Sequence, residues 1–324
     1  MVATPAKPVR QPRPQADDGR RQEPEAVFIC GASRSGTTLL RKILETSDRI
    51  AIAPENHFVG HVLPREGARF YFRRLGELAD DDTVRAIVEL IYSGEYQRKS
   101  RWREISPFWR WLIRDVPRAE LERRLLAAER SERGLMAAFM RTYADHHGRP
   151  VMGEKTPAHL AFTDTLLEWF PDGRVVHMLR DPRAVLVSDS HRRRGHPRRP
   201  YSWLMRVPLL FQSVMLLQTT LIWAGAARRH AALQRRHPGR YMLVRFEDLV
   251  QKSDEVLPAL FDFLGVAMPV DATAVEVVSR GFRVGEQGLD AGAATRWREH
   301  IHPFAERFLR LVLGPSMRRL GYGA

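Results

Sequence analysis

Cysteine occurs once in 324 residues, at Cys30, so no intramolecular disulfide can form and nothing in the chain calls for an oxidising compartment. Cys and His show no metal-ligand spacing, and no metal is expected. Lysine is nearly as scarce: only five of the 52 basic residues are Lys. Arginine is therefore the default cation, which makes any single arginine weak evidence for a site and a lysine at a structural corner stronger evidence. A leader-like apolar segment is lacking too. Residues 1–25 carry Pro, Gln, five basic and four acidic side chains without periodicity, and read as a disordered tail rather than a signal peptide. Charge is absent from 207–227, but Gln212, Ser213, Gln218, Thr219 and Thr220 give that segment a polar side, so a helix buried against a sheet is expected instead of a membrane span.

What is present is most informative at residues 31–38. The apolar run Ala26-Val27-Phe28-Ile29-Cys30 leads into Gly31-Ala32-Ser33-Arg34-Ser35-Gly36-Thr37-Thr38 and then into the amphipathic Leu39-Leu40-Arg41-Lys42-Ile43-Leu44. Strand, phosphate loop and helix follow in that order. Two glycines let the backbone fold into a nest of N–H groups, and the helix points its positive dipole end into the same place. The loop of nucleotide triphosphatases requires Lys after its second Gly; here that position is Thr37. Such a loop suits a single 5′-phosphate, with Arg34 as the cation.

Four further segments stand out. The strand-like 174–179 ends in Arg180-Asp181-Pro182-Arg183, before a helix that carries Ser188 and Arg192. The short apolar run Pro150-Val151-Met152 leads into Gly153-Glu154-Lys155-Thr156-Pro157, which puts one of the five lysines at a strand-to-helix corner. The strand-like 50–53 ends in Pro54-Glu55-Asn56-His57, and Tyr241-Met242-Leu243-Val244-Arg245 precedes Phe246-Glu247-Asp248-Leu249. Glu247 and Asp248 read as carboxylates at a helix start.

Together these motifs resemble the sulfotransferases that use 3′-phosphoadenosine 5′-phosphosulfate (PAPS), and within them a bacterial group similar to the tyrosylprotein sulfotransferase branch. Ser33-Arg34-Ser35-Gly36-Thr37-Thr38 matches the family's loop for the 5′-phosphosulfate. The resemblance implies that Arg180, Ser188 and Arg192 hold the 3′-phosphate, a group that a guanidinium fork and a hydroxyl suit. It implies that Lys155 approaches the bridging oxygen of the donor, where a compact ammonium meets charge growing on one atom. Glu55 matches the general base of the tyrosylprotein branch, and His57 stands where that branch has Arg. The alternatives for His57 are that it is itself the base, as histidine is in the cytosolic branch, or that it binds the acceptor. Arg34 and Lys155 are expected to keep Glu55 ionised. Ala294-Thr295-Arg296-Trp297 resembles the Leu-Ser-Lys-Trp of the same branch and would put Thr295 near the transferring group. Phe246 replaces a tyrosine common in relatives.

The expected fold is α/β: a P-loop-like parallel sheet with strands near 26–31, 50–53, 150–154, 174–179 and 240–245, flanked by helices. It is expected to form a single domain over 26–322, with a helical insertion at 58–148 that faces the acceptor. Within the insertion, Phe108-Trp109-Arg110-Trp111 either lines an acceptor cavity or fills core. The net charge is +14, and between Arg180 and Arg206 eight Arg face two Asp. The 192–199 loop suits an anionic donor, an acceptor or a lipid headgroup, or is simply solvated. The expected activity is transfer of a sulfuryl group from PAPS to a hydroxyl on a small molecule, glycolipid, carbohydrate or tyrosine. The expected location is the cytoplasm, with peripheral membrane contact through that loop, and no nucleic acid is expected as partner. A nucleotide kinase or triphosphatase, requiring Mg²⁺, and a non-catalytic polyanion-binding protein remain alternatives.

Overall fold

The computed structural model describes residues 22–62, 72, 74–93, 107–195, 201–275 and 288–323. Five strands, β1 (Ala26–Gly31), β2 (Ile50–Ala53), β3 (Val151–Lys155), β4 (Arg174–Leu179) and β5 (Tyr241–Arg245), form one sheet in the order β2-β3-β1-β4-β5. Every neighbouring pair is parallel. The expected strands agree to within one residue at each end. They were readable because strands covered on both faces are short, continuous apolar runs.

Alternation along β1 divides the interior into two cores. Val27 and Ile29 face α1 (Thr37–Leu44) and two later helices, whereas Ala26, Phe28 and Cys30 face the larger core under the helical insertion. In the insertion, α2 (Asp81–Tyr92), α3 (Pro107–Asp115), α4 (Arg118–Ala127) and α5 (Glu132–His146) bury Ile87, Phe108, Trp109, Leu121 and Phe139. Phe108 and Trp109 thus fill core, one of the two readings open for that cluster. Trp109 stands edge-on to Phe139 at 5.2 Å between ring centres.

After β3 come α6 (Thr163–Trp169), β4 and α7 (Pro182–Gly195). A single turn at Tyr201–Leu204 leads into α8 (Pro208–Arg236), which packs on α7 and reaches β5. Beyond β5 lie α9 (Phe246–Gln251), α10 (Ser253–Leu264) and α11 (Pro303–Arg319). The reading of 207–227 as a buried helix needs correction. Phe211, Met215 and Trp223 of α8 are buried, but Leu210, Leu217 and Leu221 are exposed, so only one face is covered. The polar residues do not mark the outer side: Thr219 and Thr220 are buried while Leu217 and Leu221 face out, so the polar side read from the sequence is not the side left uncovered. Arg198 and Arg199 of the basic loop lie outside the described residues.

Parallel strands place all their carboxyl ends on one edge; the chain lays β2 and β3 on one side of β1 and then crosses from β3 over β1 to β4 and β5 on the other, so the sheet changes direction at β1. The loops after β1, β2, β3, β4 and β5 meet along that edge.

Candidate active site

The loop after β1 is shaped by close approach. A Cβ on Gly31 (φ +147°) would stand 2.2 Å from the carbonyl oxygen of Met178, and one on Gly36 (φ +92°) 2.4 Å from Cδ2 of Phe246. Both positions therefore require glycine. Gly36 is the N-cap of α1 and supplies no side-chain hydrogen bond, so the first-turn N–H groups keep their outward donors. Ser33 and Thr38 are exposed, Thr37 is buried, and Ser35 Oγ is fully buried with no hydrogen-bond partner.

Among the described residues, Arg34 (φ +71°) and His57 (φ +55°) are the non-glycine residues with positive φ. Both belong to this edge. Backbone held in the left-handed region costs energy that the surroundings must supply, a pattern that concentrates at functional sites.

On the β4 side, Arg34 Nε donates to Ser188 Oγ at 3.1 Å, which joins the loop to α7. Arg180 donates from Nη1 to the Arg34 carbonyl (3.3 Å) and from Nη2 to the Ala293 carbonyl (2.7 Å), and its guanidinium lies 4.1 Å from the centre of the Phe246 ring. Its Nε is buried without a partner, and burial brings its pKa down to about 10. Glu247, beside it, is partly buried. Its Oε1 accepts from the Asp181 N–H at 3.0 Å, its Oε2 has no partner, and burial raises its pKa. Glu247 is thus part of the lining beside Arg180 and more than a helix-start carboxylate. A Glu-Asp pair at a helix start gives no sequence signal of that burial.

On the β2 side, Lys155 Nζ donates to Glu55 Oε1 at 2.6 Å, and His57 Nε2 lies 3.7 Å from Glu55 Oε2. Lys155 is buried and Glu55 partly exposed. Burial alone would raise the Glu55 pKa, but the Lys155 ammonium outweighs it, with help from His57 and Arg192, and holds the carboxyl below its ordinary value. Lys155 acts on Glu55 as expected, and Arg34, expected there too, donates to Ser188. Arg192, expected with the 3′-phosphate group, also acts on Glu55 electrostatically and contacts Asp189 at 3.4 Å.

Sequence reasoning missed the network that fixes the Glu55–Lys155 pair. Buried Glu154 accepts from Thr156 Oγ1 at 2.6 Å and meets His159 Nδ1 at 2.5 Å. Thr156 Oγ1 accepts the Asn56 N–H at 3.3 Å, Asn56 Oδ1 caps the Phe58 N–H at 2.9 Å, and Trp109 Nε1 donates to the Asn56 carbonyl at 3.0 Å. The loop holding His57 in its left-handed conformation is therefore tied to β3 and to the helical insertion. Thr295 is exposed and lies two residues beyond Ala293, on the Arg180 side of the site. No cluster of His, Cys, Asp and Glu suited to a metal occurs among the described residues.

Comparison with known proteins adds an independent finding. Residues 24–270 match the model of a sulfotransferase family. Carbohydrate sulfotransferase 5 of Mus musculus is 28% identical over 176 residues, an alignment that covers 46% of this chain and 41% of the mouse protein; the chain thus spans less than half of that relative's length. The fold is similar to the sulfotransferase domain of the Synechococcus PCC 7002 olefin synthase (TM-score 0.54, 19% identity, 98% of this chain and 100% of that one). It is also similar to the sulfotransferase domain of the curacin biosynthetic pathway (TM-score 0.51, 18% identity, 94% and 99%).

Proposed function

Because this chain belongs to the sulfotransferase family, we propose that it transfers a sulfuryl group from PAPS to an acceptor hydroxyl, with residues 26–322 acting as one catalytic unit. The observation that carries this reading is the 2.6 Å contact between Lys155 and Glu55 beside a phosphate loop that lacks the triphosphatase lysine. The residues fit the donor: Ser35 Oγ and Arg180 Nε are buried polar atoms without partners, and the glycine-shaped loop supports an oxyanion with backbone N–H groups. The loop residues Ser33 to Thr38 hold the 5′-phosphosulfate. Arg180 and Ser188, bridged through Arg34, hold the 3′-phosphate.

PAPS supplies the electrophilic sulfur. Glu55 takes the proton of the acceptor hydroxyl as the acceptor oxygen bonds to sulfur and the bond to the bridging phosphate oxygen breaks. Lys155 has three N–H donors, so it keeps its bond to Glu55 and offers another to the oxygen on which charge collects. His57 and Arg192 line the acceptor side. Thr295 flanks the donor. The acceptor carries a hydroxyl; the mouse relative's name makes carbohydrate hydroxyls the first class to test, ahead of tyrosine, glycolipids and small phenols.

Calorimetric titration tests the donor assignment. 3′-phosphoadenosine 5′-phosphate should bind without Mg²⁺, at least tenfold tighter than AMP, since a charged hydrogen-bonding pair contributes about 1.5–3 kcal/mol. Arg180→Ala should remove that preference. Tighter binding of ATP with Mg²⁺ would favour a kinase.

A further inference from the structure

Helix α8 presents an uncovered apolar stripe. At 100° per residue, Leu210, Leu217 and Leu221 align on one line of the helix, about 17 Å long, and Arg228 falls on the same line five turns from Leu210. The three leucines are 40%, 55% and 62% exposed, and at the head of the helix Trp203, Val207 and Leu209 are exposed as well. The opposite face, with Phe211, Met215 and Trp223, is packed against the protein. A spanning orientation would strip that packing away, so the helix, although long and apolar enough to cross a membrane, can present only its outer side to one.

The stretch of chain that carries the stripe is charged with one sign, and Arg206, Arg228 and Arg229 are exposed along it. From Ser190 to Phe246 the chain has 12 arginines and no Asp or Glu, a span that contains the last turns of α7 and all of α8 and β5. Arg194 lies over the Phe211 ring at 5.7 Å, which brings the arginines of α7 to the head of α8, where Arg206 is exposed. Arg228 and Arg229 are exposed at the far end. The acidic groups facing this region are already engaged: Asp189 by Arg192 and Arg193, Asp164 by Arg236 and His237. A second copy of the chain would oppose these arginines to one another across a two-fold axis, which disfavours it as the occupant.

We propose that the outer face of α8, with Trp203, Val207, Leu209, Leu210, Leu217 and Leu221 and the arginines at both ends, docks on an anionic lipid bilayer. The helix lies flat with its leucines at the headgroup boundary, and the neighbouring α7 holds Ser188 and Arg192, so the site stands close to the lipid surface. This surface is independent of the chemistry assigned to the site.

The test is co-sedimentation of the full chain with vesicles of phosphatidylcholine, with and without phosphatidylglycerol, alongside analytical ultracentrifugation without lipid. The wild type should bind the anionic vesicles at least tenfold better than the neutral ones and lose binding with added salt, since each arginine near the surface contributes roughly a fivefold factor. A variant combining Leu210→Glu, Leu217→Glu and Leu221→Glu should lose at least tenfold in vesicle binding while binding 3′-phosphoadenosine 5′-phosphate as the wild type does, which verifies its fold. Arg206→Glu should give an intermediate loss. Equal vesicle binding by wild type and triple variant, or no preference for anionic lipid, would overturn the proposal. So would a wild-type dimer that the triple variant converts to monomer without any vesicle binding.

Discussion

Glu55 owes its ionised state to Lys155 first, with His57 and Arg192 behind it, and burial works against all three. That balance gives a pH signature. With Lys155 present, the carboxyl titrates below its ordinary value of about 4.3, so kcat/KM should stay level as pH falls through 6 and 5. A histidine base would bring the acid limb in near 6.5. Lys155→Ala removes the largest stabiliser of the carboxylate and leaves burial unopposed, so the residual activity should fall about 10²–10³-fold and its acid limb should move upward. Rate profiles on both enzymes check this. A wild-type limb near 6.5 would transfer the role of base to His57. That Glu55 and Lys155 meet was legible in the sequence, because each stands at or just past the carboxyl end of a strand of one parallel sheet. The company they keep was not: Arg34 turns to Ser188 through a backbone conformation that sequence does not announce, and the charge of Arg192 reaches Glu55 from the end of α7.

The loop after β1 works as a unit with the starts of α1 and α9. Gly36 caps α1 with positive φ and touches the Phe246 ring, which in turn lies under the Arg180 guanidinium. Phe246 thus keeps the packing role of an aromatic ring at this position without a hydroxyl. Gly36→Ala would force a Cβ into the ring and hold alanine in an unfavourable conformation, at a cost of about 1–3 kcal/mol. The expected outcome is a lower denaturation midpoint together with at least tenfold weaker binding of 3′-phosphoadenosine 5′-phosphate, read by thermal shift and calorimetry. A variant with unchanged affinity would mean that the loop does not carry the 5′ end. Sequence revealed the glycine because strand, loop and helix signals are local. It gave no sign of the Asn56–Thr156 contact or of the Glu247–Asp181 contact, since those join segments far apart in the chain.

Across the whole molecule, the sheet order separates two tasks. The loops after β2 and β3 carry the Glu55–Lys155 pair, those after β4 and β5 carry Arg180, Phe246 and Glu247, and the phosphate loop after β1 lies between them. The parallel sheet was readable from five buried apolar runs. The exposed side of α8 was not, because its polar residues do not mark it: Thr219 and Thr220 are buried against the protein while Leu217 and Leu221 face out. Transfer of a sulfuryl group at this edge can be followed by mass. The chain is incubated with PAPS and a panel of hydroxyl acceptors, carbohydrates first, and mass spectrometry follows the gain of one SO₃ unit. An acceptor should gain SO₃ as 3′-phosphoadenosine 5′-phosphate accumulates in equal amount, with Glu55→Gln binding the nucleotide normally and forming product at least a hundredfold more slowly. Product formed by Glu55→Gln at the wild-type rate would contradict the role given to Glu55.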